Sequence, residues 1–355
     1  SRTSKIPGTS GKVRGYIADP INVGTSNHVR RELLNLLACP ACQQPNLDIA
    51  TGDDDGGEEI HDGSLICGAC GATYPISGGI PRFVVPDDDY CENFGFQWQE
   101  WRTLQIDRLS GHHLSEERFF RDSRWSADWL KGKLILDAGC GAGRFADIAA
   151  AHGARVIAID ISQAINACHE TTAIHDGRVN CIQASLFDLP LRTEIFDAVY
   201  CMGVIQHTPD PVSLMASLPR FLKPGGKISY NFYEEGIWRR LQIIKYVLRL
   251  FTPHMSVNAN LTISRFLVGL FYPLTRALAP IRKIRILNHF IPIAAVHDQQ
   301  LTPEQQRAWT LLDTFDWYGA RFEKRQHHQA VYAILTSAGM ANVRSAAGLA
   351  TADKP

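Results

Sequence analysis

Three glycines at alternate positions, Gly139, Gly141 and Gly143, follow Asp137 in LILDAGCGAGRF (134–145). A second carboxylate, Asp160, ends the next apolar run, ARVIAID (154–160). Glycine permits a tight turn and lets a ligand approach the backbone closely. A triphosphate loop needs Gly-x-x-x-x-Gly-Lys-Ser/Thr, which this stretch lacks. A dinucleotide loop wants G-x-G-x-x-G with a helix N-terminus aimed at a pyrophosphate. Here the spacing is G-x-G-x-G, and Asp137 would repel a pyrophosphate but suit an ammonium. Asp160 can accept hydrogen bonds from two ribose hydroxyls. These residues describe a ligand with a ribose, a positive group and little or no phosphate.

A separate set of residues has metal-binding spacing. CPAC (39–42) and CGAC (67–70) give two C-x2-C pairs with 24 residues between them. Two such turns joined by a hairpin bring Cys39, Cys42, Cys67 and Cys70 into tetrahedral geometry around Zn2+. With four cysteines the site is closed, so the metal is structural. It stabilises a unit too small to have its own core. The other five cysteines are scattered and the total is odd, which is not a disulfide framework and points to a reducing compartment.

The glycine loop needs a sheet to hold it. KLILD (133–137), ARVIAID (154–160), VNCIQAS (179–185), FDAVYCMG (196–203) and KISYNFY (227–233) read as strands. Helices fall between them, as in GRFADIAAAHG (143–153), stopped by Gly153. This alternation predicts an α/β, doubly wound parallel sheet, with ligands at the carboxyl ends of its strands. SEERFFRDSRWSADWL (115–130) predicts a helix started by Ser115. QAVYAILTSAGM (329–340) predicts a last helix and NVRSAA (342–347) a last strand. The expected units are a disordered tail or tag at 1–30, a zinc ribbon at 31–85, and a linker at 84–90. A catalytic domain from 91–233 and 313–355 follows, with a helical insert at 234–312 as substrate cap.

LDAGCGAGRF, VIAIDIS, FDAVYCMGVIQHTPDP and LKPGGKISYNFY stand in the order found in the class I S-adenosylmethionine-dependent methyltransferases, which 133–233 resembles. The resemblance implies a Rossmann-like fold and methyl transfer from S-adenosylmethionine. It places Gly139, Gly141 and Gly143 under the methionine part, Asp137 near its ammonium and Asp160 on the ribose hydroxyls. Ile161 packs by the adenine. Ser185 and Leu186 flank the adenine amino group. Many members of the family carry an aspartate where Ser185 stands, so Ser185 itself or Asp188 takes that contact. Met202 and Gly203 face the methionine chain. In similar enzymes a leading aromatic segment lies across the cofactor, which makes Phe94, Gln97 and Trp98 candidates. LICGACGATYPISGGIPRFV resembles the zinc ribbons at the front of some bacterial methyltransferases.

For the chemistry, VIQHTPDP sets Gln206 and His207 just beyond the fourth strand. His207 is the candidate base for a hydroxyl acceptor, an amine being the less favoured alternative, or an orienter of the loop. LLDTFDWYGARF (311–322) is a segment able to close over the pocket, and supplies Asp313 and Tyr318 as further catalytic candidates, beside Asp316 and Trp317. The expected acceptor is a small molecule or a glycan, as in bacterial polysaccharide and natural-product pathways. An RNA acceptor stands second, since no aromatic-basic RNA-binding module is evident. Another use of the sulfonium and a non-catalytic scaffold follow.

Charge narrows the partners only locally. Lys plus Arg and Asp plus Glu both number 36, so the net charge is zero and nucleic acid or membrane is not attracted by the whole molecule. Yet Gly236 to His297 holds no Asp or Glu and nine Lys or Arg, in a setting rich in Leu, Ile and Phe. WRRLQIIKYVLRLF (238–251) predicts a basic amphipathic helix, either a lid with a solvated basic face or a contact for an anionic substrate or membrane surface. The longest apolar run, FLVGLFYPL (266–274), is too short to span a bilayer. The expected location is cytoplasmic, with peripheral contact to the inner membrane.

Overall fold

A computed structural model describes residues 29–50, 59–84, 91–236, 242–280 and 290–355. Most of the tail at 1–30, much of the acidic stretch after Ala50 and most of the linker at 84–90 lie outside these residues.

The first unit is a small antiparallel assembly. Strand β1 (Val29–Arg30) pairs with β3 (Glu59–Ile60). The four-stranded sheet β2-β4-β5-β6 comprises Leu47–Ala50, Gly63–Cys67, Thr73–Ser77 and Ile80–Pro81. This unit shares its core with the larger domain. Leu33, Leu37, Leu47 and Leu65 belong to one apolar cluster with Leu136, Ile157, Leu189 and Leu191. Backbone bonds also tie the two together. Ala38 N donates to Pro190 O at 3.1 Å, Arg192 N to Leu36 O at 2.9 Å and Phe83 N to Gln183 O at 2.7 Å.

The second unit is a seven-stranded sheet. Strands β7 (Leu134–Ala138), β8 (Arg155–Asp160), β9 (Val179–Gln183), β10 (Phe196–Met202) and β11 (Leu222–Asn231) are parallel. The order is β12-β13-β11-β10-β7-β8-β9, with β12 (Ala341–Ala346) and β13 (Leu349–Asp353) closing one edge. Because β8 and β9 extend the sheet one way from β7 while β10 and β11 extend it the other way, the strand order reverses beside β7. A ligand crevice opens there, at the strands' carboxyl ends.

The structure departs from the sequence expectations at three places. NVRSAA is not the last strand, since β13 follows and pairs antiparallel with β11. Alanine has little strand preference, so LATAD hides a strand whose Ala350 and Ala352 are buried at alternate positions. The helix expected over 115–130 runs Leu114–Ser123 with Ser115 inside it, stops at the left-handed Arg124, and is followed by a separate short helix, Ala127–Leu130. The Asp107 carboxylate, eight residues before Ser115 on the separate short helix Asp107–Ser110, accepts from Ser115 N at 3.0 Å and Glu116 N at 2.9 Å, so it supplies the missing cap. The Pro303–Gly319 helix runs through the boundary drawn at 312/313, started by a Thr302/Gln305 capping box.

The insert contributes two more helices, Ile243–Leu248 and Val257–Leu278. Of the helix expected at 238–251, the described residues hold Ile243–Leu248, and 237–241 lies outside them. Its two described cations, Lys245 and Arg249, do not form a solvated face. Lys245 is 1% exposed and pairs with Glu323 at 2.7 Å, and Arg249 reaches the same carboxylate at 3.8 Å. Arg325 contributes a third contact at 2.5 Å. Burial opposes the charge on Glu323, but Lys245 and the two arginines hold its pKa at about 2.

Candidate active site

The turn after β7 is built from left-handed backbone. Gly139, Gly141 and Gly143 have φ of 91°, 54° and 85°, a region that costs other L-residues strain. Each also serves a close approach. A Cβ on Gly139 would lie 2.4 Å from Val204 Cγ2, one on Gly141 3.0 Å from Trp98 Nε1, and one on Gly143 2.9 Å from Cys168 Sγ. Gly143 therefore packs the loop against the Ala164–Thr172 helix, while Gly141 lies under the Trp98 ring. Asp160 pins the turn by accepting from Gly141 N at 3.0 Å with one oxygen. Its other oxygen accepts from Ser162 N at 2.9 Å and Ser162 Oγ at 2.7 Å.

A cavity of about 280 Å3 opens above this turn. Of the expected residues, it gathers Gln97, Trp98, Gly139, Gly141, Asp160, Ile161, Leu186, Met202, Gly203, His207 and Asp313 along its wall, with Phe94, Asp316 and Trp317. Four others are elsewhere. Gly143 is behind the loop. Asp137 is 2% exposed beneath it and does not reach the wall. Ser185 turns its hydroxyl to Phe187 N at 3.2 Å. Tyr318 is fully buried in a neighbouring apolar cluster and donates its hydroxyl to Pro292 O at 2.9 Å, so it is a packing residue here.

Several polar groups at the site lack a protein partner. Gln97 Oε1, both side-chain polar atoms of Gln206, Asp316 Oδ1 and Asp137 Oδ2 are buried without a hydrogen bond. Orphaned groups at this density call for a ligand or water. Burial lifts Asp137 well above the usual carboxylate range, as do the neighbouring Cys168 and Asp160. A cationic ammonium nearby would reverse that shift. The residues present thus fit S-adenosylmethionine: a pinned glycine turn, the Asp160 carboxylate on the cavity wall, and unpaired polar atoms on Gln97, Gln206 and Asp316.

His207 sits on the short turn Ile205–His207 after β10. Its Nδ1 lies 3.0 Å from Phe322 O. A carbonyl can only accept, so Nδ1 carries a ring proton. The other ring nitrogen, Nε2, faces Asp316 Oδ2 at 3.8 Å. Phe94 and Tyr233 flank the ring, with centroids at 5.1 and 5.5 Å. Desolvation raises the Asp316 pKa, although His207 and Lys245 act against it. Desolvation, then Asp316, raises Asp313 to about 7.

Sequence reading missed Arg144, Arg118, Gln105 and Tyr233 on the wall. Arg144 donates to Ser115 Oγ at 2.8 Å and Gln105 Oε1 at 3.1 Å, both neutral oxygens. Loss of solvent, and then Arg118 beside it, pulls its pKa to about 9. Its place directly after Gly143 was the available signal.

In the ribbon, Cys39 Sγ and Cys70 Sγ are 3.7 Å apart, and Cys42 Sγ and Cys67 Sγ 3.6 Å. Tetrahedral Zn–S bonds of about 2.3 Å put sulfurs about 3.8 Å apart. All four sulfurs lie within 4.8 Å of one another, so the set fits a structural zinc. A disulfide would need about 2.05 Å.

Residues 136–230 match the family model for a methyltransferase domain, and residues 30–79 match that for Trm112p-like protein. A ubiquinone biosynthesis O-methyltransferase of Azotobacter vinelandii is 34% identical over 107 residues, which is 29% of this chain and 45% of the relative. The chain thus spans under half the length of the curated relative it matches. Among solved structures, magnesium protoporphyrin IX methyltransferase from Synechocystis PCC 6803 is 16% identical, with a TM-score of 0.41 over 75% of this chain and 97% of that one. A complex containing the Haloferax volcanii Trm112 methyltransferase activator is 20% identical, with a TM-score of 0.35 over 41% of this chain and 64% of that chain. Residues 136–230 thus match a methyltransferase domain, fronted by a Trm112p-like unit whose four cysteines lie close enough together to hold one metal ion.

Proposed function

We propose that this protein transfers a methyl group from S-adenosylmethionine to a hydroxyl of a small-molecule acceptor, with His207 as the base. The observation that carries this reading is the single cavity joining the glycine turn and Asp160 to His207, Asp313 and Asp316. The O-methyltransferase named among the relatives supports the choice of oxygen. Asp160 and Ile161 hold the ribose and adenine side. Gln97 and Gln206 offer their unpaired oxygens to the ammonium, with the Asp137 carboxyl beneath the turn. Arg144, with only neutral partners in its two hydrogen bonds, takes a carboxylate. S-adenosylmethionine supplies the electrophilic methyl. The chain positions the acceptor oxygen, excludes water and removes a proton. Phe322 O fixes the His207 tautomer, so that Nε2 accepts the acceptor's proton, and Asp316 beside it stabilises the resulting imidazolium.

The test is incubation with methyl-labelled S-adenosylmethionine and fractionated extract of the protein's own source. Label in a base-stable small-molecule ether supports the reading, and its loss with His207→Ala assigns the base. Label confined to RNA would replace the acceptor class. No label in any fraction, with the cofactor bound, would remove methyl transfer.

A further inference from the structure

The helical insert leaves much apolar surface in solvent. Ten of the fifteen large apolar side chains exposed among the described residues fall between Ile243 and Phe290. They are not scattered singly, as surface apolar residues ordinarily are. On the Val257–Leu278 helix, Phe266, Leu270 and Leu274 repeat every four residues and are 67%, 57% and 48% exposed. The opposite face holds Leu261, Val268 and Tyr272, each under 9% exposed, and packs toward the Pro303–Gly319 helix. The helix is therefore apolar on both sides, and among the described residues only one side has a protein partner. The segment around Ile243–Leu248 repeats the pattern, with Ile243, Val247, Leu250 and Phe251 between 52% and 68% exposed.

Charge says what covers this surface. A soluble amphipathic helix turns its cations outward and its apolar side chains inward. In the Ile243–Leu248 helix the arrangement is inverted, because Lys245 points in to Glu323. No Asp or Glu occurs from Gly236 to His297. Arg265 and Arg276 are exposed at either end of the Phe266–Leu274 stripe, so its margins are cationic. Apolar side chains bordered by arginine, without acids, match the boundary between acyl chains and anionic headgroups. No helix among the described residues is long and apolar enough to cross a membrane, so contact would lie in the plane of the surface. We propose that the outer face of the insert, the Phe266/Leu270/Leu274 stripe with Arg265 and Arg276, docks the protein on an anionic lipid surface. The inference rests on the surface alone and stands whether or not the acceptor is a hydroxyl.

The experiment is flotation of the full-length protein with two kinds of vesicle, phosphatidylcholine alone and equimolar phosphatidylcholine and phosphatidylglycerol. The protein should float with the mixed vesicles, less with the neutral ones, and less as salt rises. Phe266→Ser/Leu270→Ser/Leu274→Ser should lower partition about tenfold or more. Arg265→Glu/Arg276→Glu, which keeps the apolar stripe, should weaken binding to mixed vesicles by about tenfold. Binding of S-adenosylmethionine, measured alongside, should not change in either variant, which separates this inference from the active-site reading. Failure to float with either vesicle overturns the proposal. So does unaltered flotation of the arginine variant, or a stable dimer in solution that the apolar variant dissociates and that does not bind vesicles.

Discussion

At the scale of single residues, the glycine turn and Asp160 were legible because their chemistry lies in one short stretch. Tyr318 was misplaced because LLDTFDWYG shows which residues are polar but not which side of a helix meets the cavity. The structure gives Asp313 and Asp316 to the cavity and Tyr318 to the core. Arg144 and Gln105 escaped notice because their meeting requires the fold. Asp160→Ala should weaken S-adenosylmethionine binding by about tenfold to a hundredfold, the effect of losing charge-assisted hydrogen bonds, as measured by calorimetry. Unchanged affinity would withdraw the ribose assignment. His207→Ala should lower turnover by about a hundredfold or more, with cofactor affinity kept. Asp313 gives a pH signature. Its folded pKa is raised to about 7, so its protonated form favours the folded state. That contribution is complete below the ordinary aspartate pKa of about 3.9 and is lost as pH rises through 7. Asp313→Asn should therefore melt higher than the parent at pH 8, with the gap closing toward pH 4. A gap that widens at acid pH would show that the shift is assigned the wrong sign.

At the scale of elements, the five parallel strands were readable because buried strands are continuous apolar runs bounded by glycine and polar turns. β13 was not, since small alanines carry no such signal. The insert was legible as helical and basic, but its inverted arrangement was not, because Glu323 lies far along the chain from Lys245. Glu323 ties the Ile243–Leu248 helix to the segment after Gly319. Its depressed pKa means that this contribution is present above the ordinary glutamate pKa and is lost as pH falls toward 2. Glu323→Gln should cost about 3–5 kcal/mol, since it leaves Lys245 buried without its counter-charge. Chemical denaturation, with hydrogen exchange over 243–278, reads both size and place. A change within 0.5 kcal/mol would show that the ion cluster is not what holds this helix. The ribbon touches the site through Arg82, which donates to Gln183 Oε1 at 2.6 Å, while Gln183 Nε2 donates to Ile161 O at 3.0 Å. Arg82→Ala should raise the dissociation constant for S-adenosylmethionine several-fold, with zinc content unchanged.

At the scale of the molecule, the two C-x2-C pairs announced a metal unit, but their spacing could not show that its core continues into the methyltransferase domain. Leu37 and Leu65 of the ribbon share a cluster with Leu189 and Leu191, so the two units should melt together. Chelation should remove about one zinc per chain and lower a single unfolding transition. Two separate transitions, with the upper one indifferent to chelator, would contradict the shared core. Such coupling also gives the ribbon a route to the cofactor side of the cavity. The central claim is that the cavity above the glycine turn is an S-adenosylmethionine site. The most direct measurement is calorimetric titration of S-adenosylmethionine into the zinc-loaded full chain, run in parallel on Asp160→Ala. One saturable site per chain, clearly weakened by the substitution, is the predicted result. No saturable binding to the parent chain, or binding that Asp160→Ala leaves intact, would contradict it.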